Sequence, residues 1–310
     1  MIYFNHGIEH QIHDPFIQHL HYKADDFENF LKFFLEIGFE FISMDQLMVI
    51  SKNRFRYKKP WIHLTFDDGY MNNKTIILPI IEKYNVPVTI FISTRQIQEQ
   101  ERFHTYKIKC ALKFTKQAVT THELFLYNAE NHAVLPSDNY TIQAIINVYK
   151  YLDTDQRNSF NAIINNLLST EEWSYYNSRY QSDQPLSVND LNQLASHPLV
   201  HIGSHGVNHL LFSTLSESEM RYEFEVSKKW LEDVCKKEIT TFCYPNGTTK
   251  DFNALSRKFC GESGYQMAFT TVTDFPDELT DLMEIPRIFM VPHNYNKDLK
   301  MILKKAFKLN

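Results

Sequence analysis

Short apolar runs alternate along the chain with longer segments of helical period. Runs at 2–5, 39–43, 61–66, 88–93, 200–203, 240–244, 267–271 and 285–290 predict strands. Apolar positions recurring every three or four residues predict helices over 24–37, 73–84, 217–235 and 253–264. The helix over 217–235 is announced by Ser216 and Glu219, the two ends of a capping box, with Met220, Phe224, Val226 and Leu231 recurring behind them. Strands that alternate with helices in this way point to an α/β protein on a parallel sheet.

Between 93 and 199 the alternation stops. The stretch is rich in Asn, Gln, Tyr and Thr and carries helical patterns over 141–152 and 155–168. Residues 96–196 therefore read as a mostly helical insertion within one domain spanning 1–310. Such an insertion shapes substrate access, makes an oligomer contact or adds packing bulk. Its aromatic cluster of Trp173, Tyr175, Tyr176 and Tyr180 fits a cleft wall, burial against the barrel or an oligomer contact equally well.

Composition narrows the function classes. A 43% hydrophobic content supplies a sizeable core, and a net charge of −5 with both signs interspersed offers no basic stripe for nucleic acid. The four cysteines, Cys110, Cys235, Cys243 and Cys260, form no CxxC pair, which excludes a zinc knuckle or thioredoxin-like motif. No window is apolar over a membrane-spanning length, and the start is too polar for a signal peptide, so a cytoplasmic location is expected.

Three motifs carry chemistry. Thr65-Phe66-Asp67-Asp68-Gly69-Tyr70 follows an apolar strand; two adjacent carboxylates there point different ways, one free to bind a cation and its neighbour to act as a base. Asp-Asp-Gly is also ordinary turn chemistry. Ser204-His205-Gly206-Val207-Asn208-His209 places two imidazoles four apart, which on a helical turn share a face and can reach one ion. Thr241-Phe242-Cys243-Tyr244-Pro245-Asn246-Gly247 ends a strand in a turn whose backbone N–H groups suit an oxyanion. His63 and His201 fall inside strands and read as core groups, and His10, His13, His19 and His21 read as a surface loop.

Together these motifs resemble the polysaccharide deacetylase (NodB-homology, carbohydrate esterase family 4) superfamily over roughly 1–95 and 197–293. The resemblance implies a distorted (β/α)7 barrel in which Asp68, His205 and His209 hold a divalent metal, zinc first, with cobalt, nickel or manganese also accepted by such ligands. It implies Asp67 as general base and the Asn246 backbone N–H as oxyanion donor, in place of the usual aromatic residue. Cys243 stands where the family has an arginine that orients the base. Arg287, in Glu284-Ile285-Pro286-Arg287-Ile288, is the replacement candidate. The opening Ile2-Tyr3-Phe4-Asn5-His6-Gly7 is similar to a circularly permuted branch, where an N-terminal histidine takes the general-acid role. That implies His6, with His293 as rival.

The implied reaction is metal-dependent removal of N-acetyl groups from an amino sugar in a glycan or its precursor. A metal-dependent amidohydrolase of small cyclic amides or ureides is an alternative, and so is a non-catalytic carbohydrate-binding relative. The insertion is the candidate oligomer contact.

Overall fold

The computed structural model describes residues 1–55, 59–120, 123–124, 133–134, 138–291 and 300. Among them, an eight-stranded sheet curls around one axis, with Glu40–Phe41 pairing Trp61 and Ile62 and seven strands on the main path: β1 (Ile2–Asn5), β2 (Trp61–Phe66), β3 (Val88–Ile92), β4 (Val200–Ser204), β5 (Thr241–Cys243), β6 (Met267–Phe269) and β7 (Ile288–Phe289). They pair in the order β6-β5-β4-β3-β2-β1-β7, all parallel. A single parallel bridge from Phe269 to Ile285 links the two ends. The result is the distorted (β/α)7 barrel expected from the motifs.

Alternation within each strand sorts its side chains. In β2, Ile62, Leu64 and Phe66 join the apolar layer under the helices, where Phe27, Phe30, Leu31 and Phe34 of helix Ala24–Glu36 meet them. The other face turns inward: buried His63 is hydrogen-bonded to Ile42 O at 2.8 Å and Thr89 Oγ1 at 3.0 Å. His201 meets Thr241 Oγ1 at 3.2 Å. Both are polar groups satisfied within the barrel.

Several expected elements come out shorter or different. The last strand contracts to Ile288–Phe289, since Pro286 has no N–H to give to a ladder. The helix over 73–84 opens as a π-turn, Asn73–Ile77, before α-helix Leu78–Tyr84. Pro79 provides the reason, because its ring clashes with the carbonyl one turn earlier. Helix Glu217–Cys235 has its capping box, but Val226 is exposed. Its buried stripe runs through Met220, Phe224, Ser227 and Leu231 instead.

Between β3 and β4, helices His104–Phe114, Asn139–Tyr149 and Thr154–Asn166 build a separate apolar cluster through Ile108, Leu112, Ile142, Ile146, Phe160 and Ile164. Helix Val188–Ser196 returns to the barrel layer through Leu191 and Leu194. No helix among the described residues is long and apolar enough to cross a membrane.

Candidate functional site

The strand registers bring the chemistry to one end of the barrel. Asn5 pairs with Phe66, so His6 and Asp67 leave β1 and β2 at the same level. Ser204 pairs with Ile92 and Phe242, so His205 leaves β4 beside them. All three follow the carboxyl ends of their strands, where barrel sites are built.

Asp68 takes a φ of 79°, a left-handed conformation that turns its carboxylate away from that of Asp67. Its Oδ1 is buried and has no hydrogen-bond partner. His205 Nε2 stands 3.6 Å from it and His209 Nε2 3.4 Å. The two imidazoles do not converge on a helical turn. Gly206 has φ 80° and His209 φ 56°, and the segment between them is an irregular loop. Buried Glu223 pins that loop, accepting from Val207 N at 2.7 Å, Asn208 N at 3.0 Å and Asn208 Nδ2 at 2.6 Å.

The protonation pattern tests whether these residues suit a cation. His205 Nδ1 lies 2.7 Å from Cys243 O and donates its N–H to that carbonyl. Burial pulls the His205 pKa down to about 4, leaving the ring neutral near pH 7. Its Nε2 then faces the Asp68 carboxylate lone pair to lone pair. A divalent ion among Asp68, His205 and His209 resolves that clash, and their donor atoms lie within 4.8 Å of one another. The residues fit the metal.

A second grouping, Asp67, His205 and Cys243, falls within the same spacing but does not fit. Burial pushes the Cys243 thiol well up, and Asp67 is committed elsewhere. Arg287 donates to it from Nη1 at 2.8 Å and Nη2 at 2.7 Å. The guanidinium also bonds Thr270 O and Thr65 Oγ1, both at 2.8 Å, and is fully buried with Phe4 under its face. Burial alone would raise the Asp67 pKa. The charge and hydrogen bonds of Arg287 outweigh it and hold the carboxyl below its ordinary value.

A cavity of about 330 Å³ opens over these groups, lined among others by His6, Asp67, Asp68, His205, His209 and Asn246. His6 Nδ1 is buried without a partner. Asn246 has φ 59° and its carbonyl accepts from Thr271 Oγ1 at 2.5 Å. The turn beyond it needs Gly247, where a Cβ would lie 2.9 Å from the backbone of both Tyr244 and Thr271. His293 lies outside the described residues.

Four titratable lining residues carried no motif or were read otherwise: His19, His104, Lys109 and Lys150. His19 comes from the stretch taken for a surface loop, and the other three from the insertion. His19 is exposed, but His21 of the same stretch is buried, 3.6 Å from Asp183. The aromatic cluster of the insertion stays out of the cavity; Tyr176 stacks on Phe114 at 4.1 Å and Trp173 packs beside it.

The polysaccharide deacetylase family matches residues 56–268, more than half of the chain. Three solved structures are similar to it in fold. A Streptococcus pyogenes deacetylase, PplD, solved with acetate, has a TM-score of 0.63 at 16% identity, over 97% of this chain and 96% of its own. IcaB from Ammonifex degensii gives 0.60 at 11%, over 96% and 94%. A de-N-acetylase from Aggregatibacter actinomycetemcomitans gives 0.58 at 13%, over 97% and 98%. No curated protein matches the chain.

Proposed function

Because the chain belongs to the polysaccharide deacetylase family, we propose that it removes the N-acetyl group from an acetylated amino sugar of a glycan or glycan precursor, releasing acetate. The observation that carries this reading is the buried, unpartnered Asp68 Oδ1 facing two imidazole nitrogens beside an Arg-clamped Asp67.

Asp68, His205 and His209 would hold a divalent ion, with zinc the first candidate. Such an ion lowers the pKa of water and polarises a carbonyl. Asp67, kept ionised and aimed by Arg287, takes a proton from the attacking water as its oxygen bonds to the acetamide carbon. Asn246 lines the cavity, and its backbone N–H would stabilise the oxyanion that develops. His6, at the end of β1, gives a proton to the sugar nitrogen as the C–N bond breaks, leaving acetate and a free amine. The Tyr3-to-His6 opening supports the permuted-branch assignment of that acid.

The test is acetate release from N-acetylhexosamine polymers, oligomers and nucleotide sugars, with and without chelator. Release that stops on chelation and returns with zinc is expected. Opening of a cyclic amide or ureide yields no acetate, so metal-dependent turnover of those compounds alone would replace this reading. Metal and glycan binding without any turnover would make the chain a binding protein.

A further inference from the structure

Two lysines stand in the cavity that holds the proposed metal ligands. Lys109, from helix His104–Phe114, is 1% exposed, and its Nζ donates to Phe16 O at 2.8 Å and His19 Nδ1 at 2.6 Å. Lys150, at the end of helix Asn139–Tyr149, donates to Asn246 Oδ1 at 2.5 Å. Neighbouring cations are paired: Lys107 with Glu101, Lys113 with Asp14. Among the described residues neither cavity lysine has a carboxylate at ion-pair distance. Both make their hydrogen bonds to uncharged acceptors.

The carboxylates of the cavity leave no counter-charge over. Asp67 is neutralised by Arg287, and Asp68 is committed to the ion it would share with two histidines. Burial lowers both lysines, Lys109 to about 8 against the more distant charge of Asp183, so each bears a solvation cost as an ammonium ion. An adjoining cavity of about 240 Å³ shares His104 with this one. It adds Arg157, whose buried Nε has no partner. Among the described residues, Lys109 and Lys150 thus border the cavity of the proposed site without an ion-pair partner, and Arg157 borders the cavity next to it.

We propose that the sugar taken by this site carries an oxyanion substituent, a phosphate or a carboxylate, which Lys109 and Lys150 hold in the cavity. This rests on the deacetylase reading and specifies its substrate class. Lys150 also ties the anion to the loop carrying the Asn246 N–H, so the group that confers recognition braces the group that meets the oxyanion.

Three substrates decide it with the zinc-loaded 310-residue chain: N-acetylglucosamine 1-phosphate, an N-acetylhexosamine bearing a carboxylate, and the neutral N-acetylglucosamine dimer. One of the anionic sugars is expected to exceed the neutral one by about tenfold or more in kcat/KM, and the arm that does so names the oxyanion. Lys109→Gln and Lys150→Gln should each erase about tenfold of that preference, chiefly through KM, with Lys150→Arg restoring it. Calorimetric binding of N-acetylglucosamine 1-phosphate gives a readout that needs no turnover. If no sugar releases acetate, the deacetylase reading falls, and calorimetry still decides the anion site. Equal affinity for charged and neutral sugars, or affinity untouched in Lys150→Gln, overturns the proposal. Lys150 is only half-buried, so that variant serves even where Lys109→Gln does not fold.

Discussion

Arg287 grips Asp67 with both terminal guanidinium nitrogens, and its Nε is bonded to Thr270 O. The side chains are 0% and 2% exposed, so each neutralises a charge that water does not reach. Arg287→Met leaves Asp67 buried and uncompensated. Urea denaturation should show a loss of about 3–5 kcal/mol. Arg287→Lys keeps the charge but loses the fork; a fall in kcat larger than the fall in stability is expected. Wild-type turnover in Arg287→Lys would remove the two-pronged grip from the mechanism.

Metal and base separate by mutation. Asp68→Asn and His205→Ala each remove a proposed ligand from the set of three. Elemental analysis should show zinc retained by the wild-type chain and lost from both variants. Asp67 bonds Arg287 rather than the ion, so Asp67→Asn should keep its zinc and lose turnover by about a hundredfold or more. Turnover surviving in Asp67→Asn would remove it as the base.

Glu223 is far from the motifs in sequence, yet it sets the loop between His205 and His209 through three hydrogen bonds. Glu223→Ala leaves those donors without their acceptor. Zinc affinity, read by competition with a chromophoric chelator, should fall about 10–100-fold. Gly206→Ala tests the same contact from the other side, since its Cβ would meet Glu223 Oε2 at 2.8 Å on a residue with φ 80°. Unchanged zinc affinity in both variants would mean the loop holds its shape without Glu223.

Much of this architecture is legible from period and motif. The β2 sequence Trp-Ile-His-Leu-Thr-Phe alternates inward and outward, and its two aspartates follow at the strand's end, where the barrel puts its site. The Ser216 and Glu219 pair marks its helix start because the capping bonds are local. Local pattern fails where tertiary packing decides. Val226 sits one position off the buried stripe that Ser227 occupies, and hydrophobicity alone favours the wrong residue. The spacing of His205 and His209 suggests a helix, but positive φ at Gly206 and His209 folds the segment as a loop. Lys109, Lys150 and His104 reach the cavity because a helical insertion packs over it, and no spacing rule announces that.

Buried neutral histidines make the fold sensitive to acid. Burial depresses His63 to about 3 from 6.5, and both its nitrogens are hydrogen-bonded inside the barrel. Between those two values the unfolded chain holds a proton that the folded chain lacks, so stability rises with pH. The contribution is complete above about pH 6.5 and is lost as pH falls toward 3. Half-buried His104 and His201 are lowered in the same sense. Urea unfolding from pH 7.5 to 5.0 should weaken progressively, and His63→Asn should flatten the slope by at most about 1.4 kcal/mol per pH unit. An identical slope in the variant would place the acid sensitivity elsewhere.

His6 is the part of the site with the most at stake, because its proposed role depends on a proton rather than a contact. Burial draws its pKa below the ordinary value, and the charges of Asp68 and Asp67 offset part of that pull. An amine leaves poorly unless protonated, whereas a phenolate leaves without help. His6→Ala should therefore lower acetate release from an N-acetyl sugar by about 10²–10⁴-fold and barely affect hydrolysis of an aryl acetate by the same site. Zinc content should not change, since His6 is outside the ligand set. Equal losses on both substrates would point to a collapsed cavity instead of a missing acid. Near-normal release from the sugar would pass the role to another group, and His293→Ala measured in parallel identifies whether it is that one.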